Sequence, residues 1–295
     1  AFINEYDKRY DTVEEYMARF QIFKYNLHNL PKNDVTWEVG ITQFSDMTEL
    51  EFQRKMLTLD LPIVGDKMNL IRPKKNAAPA EFDWRDKQVI GEVKDQAQCG
   101  SCWAFSTTGN MEAQAKILHG KTIRLSEQML VDCDTNNSGC RGGNMDRSFQ
   151  WIKGNGGLMA EADYPYVAHE QTCKKDKTKY IVTVGGYNRL STKNEDQIKE
   201  FLYTNGPLSI ALNANPLQTY RGGILAPTTA QCNPYAMNHA LVAVGYGTAD
   251  GKDFWIIRNS WGKRWGEAGY LRLARHTCAC GVCNWVVTST GLKML

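Results

Sequence analysis

At 295 residues, with 42% hydrophobic content and eight Trp, the chain can bury one large core or two smaller ones, which excludes a disordered polypeptide. A formal charge of +3 and a pI near 8.3 are too mild for a nucleic-acid binder, and no Lys/Arg block with interleaved aromatics argues for one. No stretch approaches the roughly 18 consecutive apolar residues that a membrane span needs.

The opening residues, AFINEYDKRY, have no signal-peptide pattern and begin as if mid-helix, so a targeting segment is expected to lie outside this sequence. Tyr16, Phe20, Phe23, Leu27 and Leu30 then recur at three- and four-residue steps, which predicts an amphipathic helix stopped by Pro31. VTWEVGITQ at 35–43 alternates like a strand, and Thr48 is placed to cap a short helix ending at Met56. Residues 57–77, with two Pro, one Gly and little periodicity, read as an extended linker. Residues 1–77 contain no Cys and the remainder contains nine, a shift that divides the chain into units 1–77 and 78–295.

In the second unit, helices are predicted at 102–118 (stopped by His119-Gly120), 126–132 (capped by Ser126), 144–153 and 195–204 (capped by Asn194). Strands are predicted for YIVTVGGY, LSIALNA, ALVAVGYG, FWIIRN and YLRLA, separated by Gly, Asp and Asn. A helix-rich first half and a strand-rich second half predict an α+β fold of two lobes, with a ligand cleft between them.

Cys102 would open the first of these helices, where unpaired backbone N–H groups and the helix dipole both favour thiolate over thiol. His239, at the start of a strand, is the candidate base. Asn259 would fix its tautomer, Trp261 would shield that hydrogen bond, and Gln96 has a donor amide suited to an oxyanion hole with the Cys102 N–H. Nine Cys is an odd number, so an oxidising compartment would leave one free thiol, and Cys102 is the natural candidate.

CGSCW at 99–103, with His239 137 residues and Asn259 157 residues beyond Cys102, resembles the papain/cathepsin signature. DWR at 83–85, CRGG at 140–143, NHA at 238–240 and NSWGKRWG at 259–266 follow in that family's order. The resemblance is to the cathepsin L/F-like branch. It implies a papain-like fold, a helical lobe with a central helix plus a β-barrel-like lobe, preceded by a mainly helical inhibitory propeptide. It also implies Gln96, Cys102, His239 and Asn259 as catalytic residues, and Gly142, Gly143, Met145, Ala211, Met237, Asn238, Ala240, Trp261 and Trp285 as substrate-binding residues. In the pocket for the residue second before the scissile bond, a bulky Trp285 at the far end would favour Leu, Val or Pro.

Glu15, Arg19, Phe23 and Asn26 resemble the first propeptide motif of these enzymes, and Gly40, Phe44 and Asp46 the second. Leu30, Asp34 and Thr42 depart from the usual Ile, Asn and Asn. The linker at 57–77 would then lie along the cleft opposite in direction to a substrate, with acid weakening ion pairs of Asp46 and Glu15 and cleavage near Ala78 or at Asn76-Ala77. The family implies disulfides Cys99 to Cys140, Cys133 to Cys173 and Cys232 to Cys280. Parity adds Cys278 to Cys283, with a swap of Cys232 to Cys278 left open.

The activity implied is that of an endopeptidase, since no insertion after DWR or Cys133 is long enough to cap a cleft. No cofactor and no metal are implied. The partners implied are peptide and protein substrates, the chain's own propeptide and cystatin-type inhibitors. The location implied is the secretory pathway, ending in a lysosome-like acidic vesicle or outside the cell.

Four rival readings use the same residues. Cys99 and Cys102 form a C-x-x-C, but no βαβ pattern surrounds it. His276, Cys278, Cys280 and Cys283 have zinc-site chemistry. A transglutaminase-like enzyme would need Asp in place of Asn259, and an inactive homologue would show a substitution among the four catalytic positions. Asn136-Asn137-Ser138 is a glycosylation sequon if the chain enters a secretory pathway.

Overall fold

The computed structural model describes residues 1–31, 36–61, 70–71 and 78–295. Asp34, the start of the expected strand at Val35, and most of the 57–77 linker with its Asn76-Ala77 step lie outside the described residues. The helices are α1 (Phe2–Glu5), α2 (Val13–His28), α3 (Glu49–Met56), α4 (Cys102–His119), α5 (Glu127–Cys133), α6 (Met145–Asn155) and α7 (Glu195–Asn205). The strands are β1 (Glu38–Val39), β2 (Leu70–Ile71), β3 (Phe82–Asp83), β4 (Leu158–Met159), β5 (Tyr180–Thr183), β6 (Gly186–Leu190) and β7 (Leu208–Leu212). They continue with β8 (Tyr220–Gly222), β9 (Ile224–Leu225), β10 (His239–Ala249), β11 (Lys252–Arg258), β12 (Tyr270–Ala274), β13 (Val286–Thr290) and β14 (Lys293–Met294).

The fold is α+β. One sheet runs in the order β2-β6-β13-β7-β10-β11-β12-β9, with β3 added beside β10. Among the described residues this path is open, so the lobe that the resemblance makes barrel-like contains no closed barrel. The expected strand YIVTVGGY is two strands in two sheets, because β5 pairs with β4 and β14 whereas β6 pairs with β13. The Gly185 N–H turns away to the Thr290 carbonyl (2.8 Å) between them.

Helix α4 organises the second unit. Ser101 precedes it, Gly120 ends it in the left-handed conformation (φ 66°), and every residue from Cys102 to Ala115 is buried. It lies on the sheet: the Ser106 hydroxyl donates to Leu241 O at 2.7 Å, the Ser209 hydroxyl donates to Ser106 O at 2.9 Å, and Asn110 Nδ2 donates to Pro207 O at 2.9 Å. On its other side lie α5 and α6, capped by the Ser126 and Asn144 side chains. Two large apolar cores result, beside a smaller cluster of Val242, Val244, Phe254 and Ile256. One is built on the sheet around Trp255, Ile257 and Trp265, and the other on α4 to α6 around Trp103, Met129 and Phe149.

The N-terminal unit contributes to both cores. Phe44, Met47, Phe52, Met56 and Leu57 join the first, and Leu59 joins the second. Helix α3 starts with a full capping box between Thr48 and Glu51. Phe44 and Phe52 meet the Trp261 ring edge-on, at 4.9 and 5.5 Å between centroids. The stripe on α2 is less buried than its periodicity suggests: Tyr16, Phe20 and Leu27 are exposed, while Phe23 packs against Phe2 with the rings tilted and 4.7 Å apart. Helix α1, at four residues, is too short to cover a 16-residue helix. The expected strand at 35–43 is reduced to β1, which pairs with β8. No described helix is long and apolar enough to cross a membrane.

Phe52 is fully buried, so Phe52→Ala should remove about 3 to 5 kcal/mol of packing between α3 and Trp261. Hydrogen exchange should then show α3 amides losing protection while those of α4 keep theirs. Unchanged protection in α3 would mean that this contact does not hold the N-terminal unit down.

Candidate active site

The register between α4 and β10 brings two distant segments together. Ser106 lies four residues along α4 from Cys102, a rise of about 6 Å, and its partner Leu241 lies two residues along β10 from His239, about 6.6 Å. Cys102 and His239 therefore sit side by side where the helix and the strand begin. The backbone N–H of Ala240, the residue after His239, faces the thiol together with those of Thr58 and Trp103.

The His239 ring is held on two sides. Its Nε2 lies 2.8 Å from Asn259 Oδ1, and Asn259 Oδ1 also accepts the Ser260 N–H at 2.8 Å. An oxygen that accepts a backbone N–H is unambiguously the amide oxygen, so His239 must carry its proton on Nε2. The Trp261 indole stacks on the imidazole at 4.7 Å and 29°, and both residues are buried. Asn259 itself is fixed by its N–H to Gly269 O (3.0 Å).

Gln96 is fully buried beside this group. Its backbone N–H donates to Ser260 O (2.8 Å), its Oε1 accepts from the Ser260 hydroxyl (2.7 Å), and its Nε2 donates to Cys99 O (3.0 Å). An amide nitrogen has two hydrogens, so one donor remains for another oxygen. Ser260 and Tyr166, whose hydroxyl donates to Gln96 O (2.8 Å), were not singled out from the sequence, and only the adjacency of Ser260 to Asn259 hinted at either.

The cleft is occupied by the chain itself. Thr58 Oγ1 donates to Gly100 O (2.8 Å), the Leu59 N–H to Asn238 O (3.1 Å), and the Asp60 N–H to Gly143 O (2.9 Å). Leu59 runs parallel to Gly143, while Asn144 Nδ2 and Arg147 hold Asp60 at 2.8 and 2.7 Å. Gly142 is required here: at φ 130°, a Cβ on it would stand 2.2 Å from Thr58 O. Met145, Ala211, Ala240 and Trp285 share one buried cluster with Leu59 and Cys102, and Met237 packs against it.

Burial beneath this segment sets the charge state. Desolvation pushes the Cys102 thiol up to about 11, against the three backbone N–H groups and Thr58 Oγ1. It pushes His239 down to about 4, against the Asn259 side chain and the Met56 carbonyl. In this closed state the pair is a neutral thiol beside a neutral imidazole.

The disulfides are Cys99–Cys140, Cys133–Cys173, Cys232–Cys280 and Cys278–Cys283, and Cys102 is the free cysteine. Cys278, Cys280 and Cys283 thus have no thiolates to offer zinc, and His276 lies 2.7 Å from Asp253. The Cys99 bridge likewise removes the C-x-x-C redox reading.

Comparison with known proteins extends this geometry to a lineage. Residues 78–290 match the papain family cysteine protease model, and residues 1–52 match the cathepsin propeptide inhibitor domain. The chain belongs to the papain family of cysteine proteases. It is 41% identical to cysteine proteinase 15A of Pisum sativum over 98% of this chain and 84% of that protein. It is 40% identical to cathepsin F of Drosophila melanogaster, over 94% of this chain and 47% of that protein. The digestive procathepsin L2 proteinase of the Tenebrio molitor larval midgut has the same fold, with a TM-score of 0.91, 34% identity and coverage of 98% and 97%. In this chain a propeptide inhibitor domain thus accompanies a cysteine protease.

A thiol with a pKa near 11 is about one part in a thousand thiolate at pH 8, against roughly a quarter for an ordinary thiol. Iodoacetamide should therefore modify Cys102 in the full chain about 10²-fold more slowly than it modifies a free cysteine peptide. Equal rates would show that residues 56–60 do not seal the thiol.

Proposed function

We propose that the chain is the zymogen of an endopeptidase that cleaves peptide bonds through a thioester on Cys102. The observation that carries this reading is the imidazole beside Cys102, fixed by Asn259 and covered by Trp261. With Nε2 protonated, the other ring nitrogen takes the Cys102 proton. The sulfur attacks the peptide carbonyl carbon, and the new oxyanion is met by the Cys102 N–H and the second N–H of Gln96. Collapse of this intermediate expels the amine, which receives the proton from His239. Water then attacks the thioester with His239 as base, restoring the thiol and releasing the acid.

Residues 1–77 act as the inhibitor and 78–295 as the peptidase, with conversion near Ala78. Leu59 runs parallel to Gly143, the reverse of the direction a substrate would take, so the segment fills the cleft without presenting a bond for attack. The pocket bounded by Met145, Ala211, Met237, Ala240 and Trp285 receives the residue second before the scissile bond. Leu59 is buried in the same cluster as these residues, in keeping with a preference for Leu, Val or Pro over Phe, the apolar choices differing by about 1 to 3 kcal/mol. Peptides and proteins are the substrates, and cystatin-type inhibitors fit the same cleft. Four disulfides suit a route through the secretory pathway to an acidic vesicle or the cell exterior.

Cys102→Ala should abolish peptide hydrolysis, and Gln96→Ala should lower kcat by about 10² to 10³ with a smaller change in KM. Wild-type turnover in Cys102→Ala would overturn the mechanism.

Acid activation has its own chemistry. Above about pH 4, where His239 is neutral in the closed state, transfer of the proton from Cys102 to His239 on opening takes up no proton from solution, so that pair gives no acid activation. The N-terminal unit carries a group that does, Glu51, in its ion pair with Arg19. Lys8 pairs with Asp46 at 2.8 Å, and Arg19 pairs with Glu51 at 2.9 Å while also donating to Asp46 O. Glu15, expected to form such a pair, instead accepts the Asp11 N–H at 3.1 Å. Arg19 and the Thr48 cap hold Glu51 down at about 2, so its stabilising contribution is complete above the ordinary value of 4.5 and is lost as pH falls toward 2. Self-conversion of the wild type should therefore accelerate between pH 4.5 and 3, and Glu51→Gln should flatten that rise. A variant whose conversion rates parallel wild type across this range would assign the acid response to other groups.

A further inference from the structure

Three separate elements meet at Trp285. Its carbonyl accepts the Ala211 N–H at 3.1 Å, which fixes its backbone to β7 just before β13 begins. Its indole Nε1 donates to Asp146 Oδ1 at 3.1 Å, in the first turn of α6. The Arg189 guanidinium carbon, from β6, lies 3.3 Å from the ring centroid. The edge and one face of the indole are thus both held, and Asp146 and Trp285 are buried.

A ring held only by packing can rotate when a larger side chain presses on it. Rotation here would leave a buried carboxylate without its indole donor and uncover the guanidinium that lies on the ring. We infer that Asp146 and Arg189 are positioning residues that clamp Trp285 across the end of the pocket, so that the clamp sets the largest side chain admitted. The inference rests on the proposed role of that pocket in binding the residue second before the scissile bond. It narrows the substrate class to peptides with a compact apolar side chain there. Leu59 is the chain's own example, buried in the same cluster as Trp285.

The test uses enzyme obtained by acid conversion of the full chain, with otherwise identical peptides carrying Leu, Phe or Arg at that position. Wild type should favour Leu over Phe in kcat/KM by about tenfold or more, and Arg should be the poorest substrate. Trp285→Ala should narrow the Leu/Phe gap. Asp146→Ala and Arg189→Met should each raise the Phe/Leu ratio by about three- to tenfold, mainly through a lower KM for the Phe peptide. Asp146→Asn keeps an oxygen acceptor for the indole, and its ratio should stay within about twofold of wild type. If Trp285→Ala shifts the ratio while Asp146→Ala and Arg189→Met lower Leu and Phe turnover equally, the clamp is refuted although the pocket stands. If Trp285→Ala leaves the ratio unchanged, or Arg is preferred, the pocket assignment itself fails. Should Asp146→Ala not fold, the Arg189→Met ratio decides the matter.

Discussion

The contact of α4 with β10 is the constraint on which the cleft depends. Neither Cys102 nor His239 is placed by its own side-chain hydrogen bonds alone. The helix is set down on the sheet by Ser106, Ser209 and Asn110, whose bonds run to β10, to β7 and to the carbonyl just before β7. A shift of one residue in this contact would carry the thiol away from the imidazole by about 1.5 Å along the helix or 3.3 Å along the strand. Asn259, Ser260 and Trp261 come next, because they fix the ring relative to β11, and Gln96 is bound through Ser260. The pair is thereby aligned before any substrate arrives.

Electrostatics then distinguishes the closed chain from an open one. The same helix N-terminus that favours a thiolate is outweighed while residues 56–60 exclude water, so burial rather than a missing base keeps the thiol protonated. On the proposed mechanism, latency therefore has two parts, a blocked cleft and a thiol held in its unreactive form. Both end in one step when the segment leaves. The acid trigger proposed for its departure is remote from the thiol, in the Arg19–Glu51 pair that joins α2 to α3.

Elements with strong local signals were legible in the sequence. Ser126 and Asn194 cap helices where capping chemistry predicts, the helix expected from Asn144 starts one residue later with Asn144 as its cap, and α4 begins and ends as its pattern suggests. The strands β7, β10, β11 and β12 follow their apolar runs. What could not be read depends on contacts between segments far apart in the chain. Val286–Thr290 was missed as a strand because it follows directly on the cysteine-rich turn, and its pairing with β6 and β7 is what makes it one. Leu59 has no periodic neighbours to mark it as a cleft residue. The Asp146–Trp285–Arg189 grouping joins residues up to 139 positions apart, and no spacing rule connects them. The α2 stripe was legible as a helix but not as a half-covered one, since its exposure depends on the length of the element beside it.

Gly142 links the lock to the door. Its backbone passes so close to Thr58 O that no side chain fits, and the wall it forms with Gly143 is the wall along which any extended peptide in the cleft must lie. A substitution there that expelled the inhibitory segment would narrow the same passage for everything else. Escape from self-inhibition by altering this wall is thus closed off in mutational terms: the protein cannot become constitutively open at Gly142 without becoming less able to admit what it acts on. Changes in the N-terminal unit leave this wall untouched, so they can loosen the inhibitory segment without narrowing the cleft.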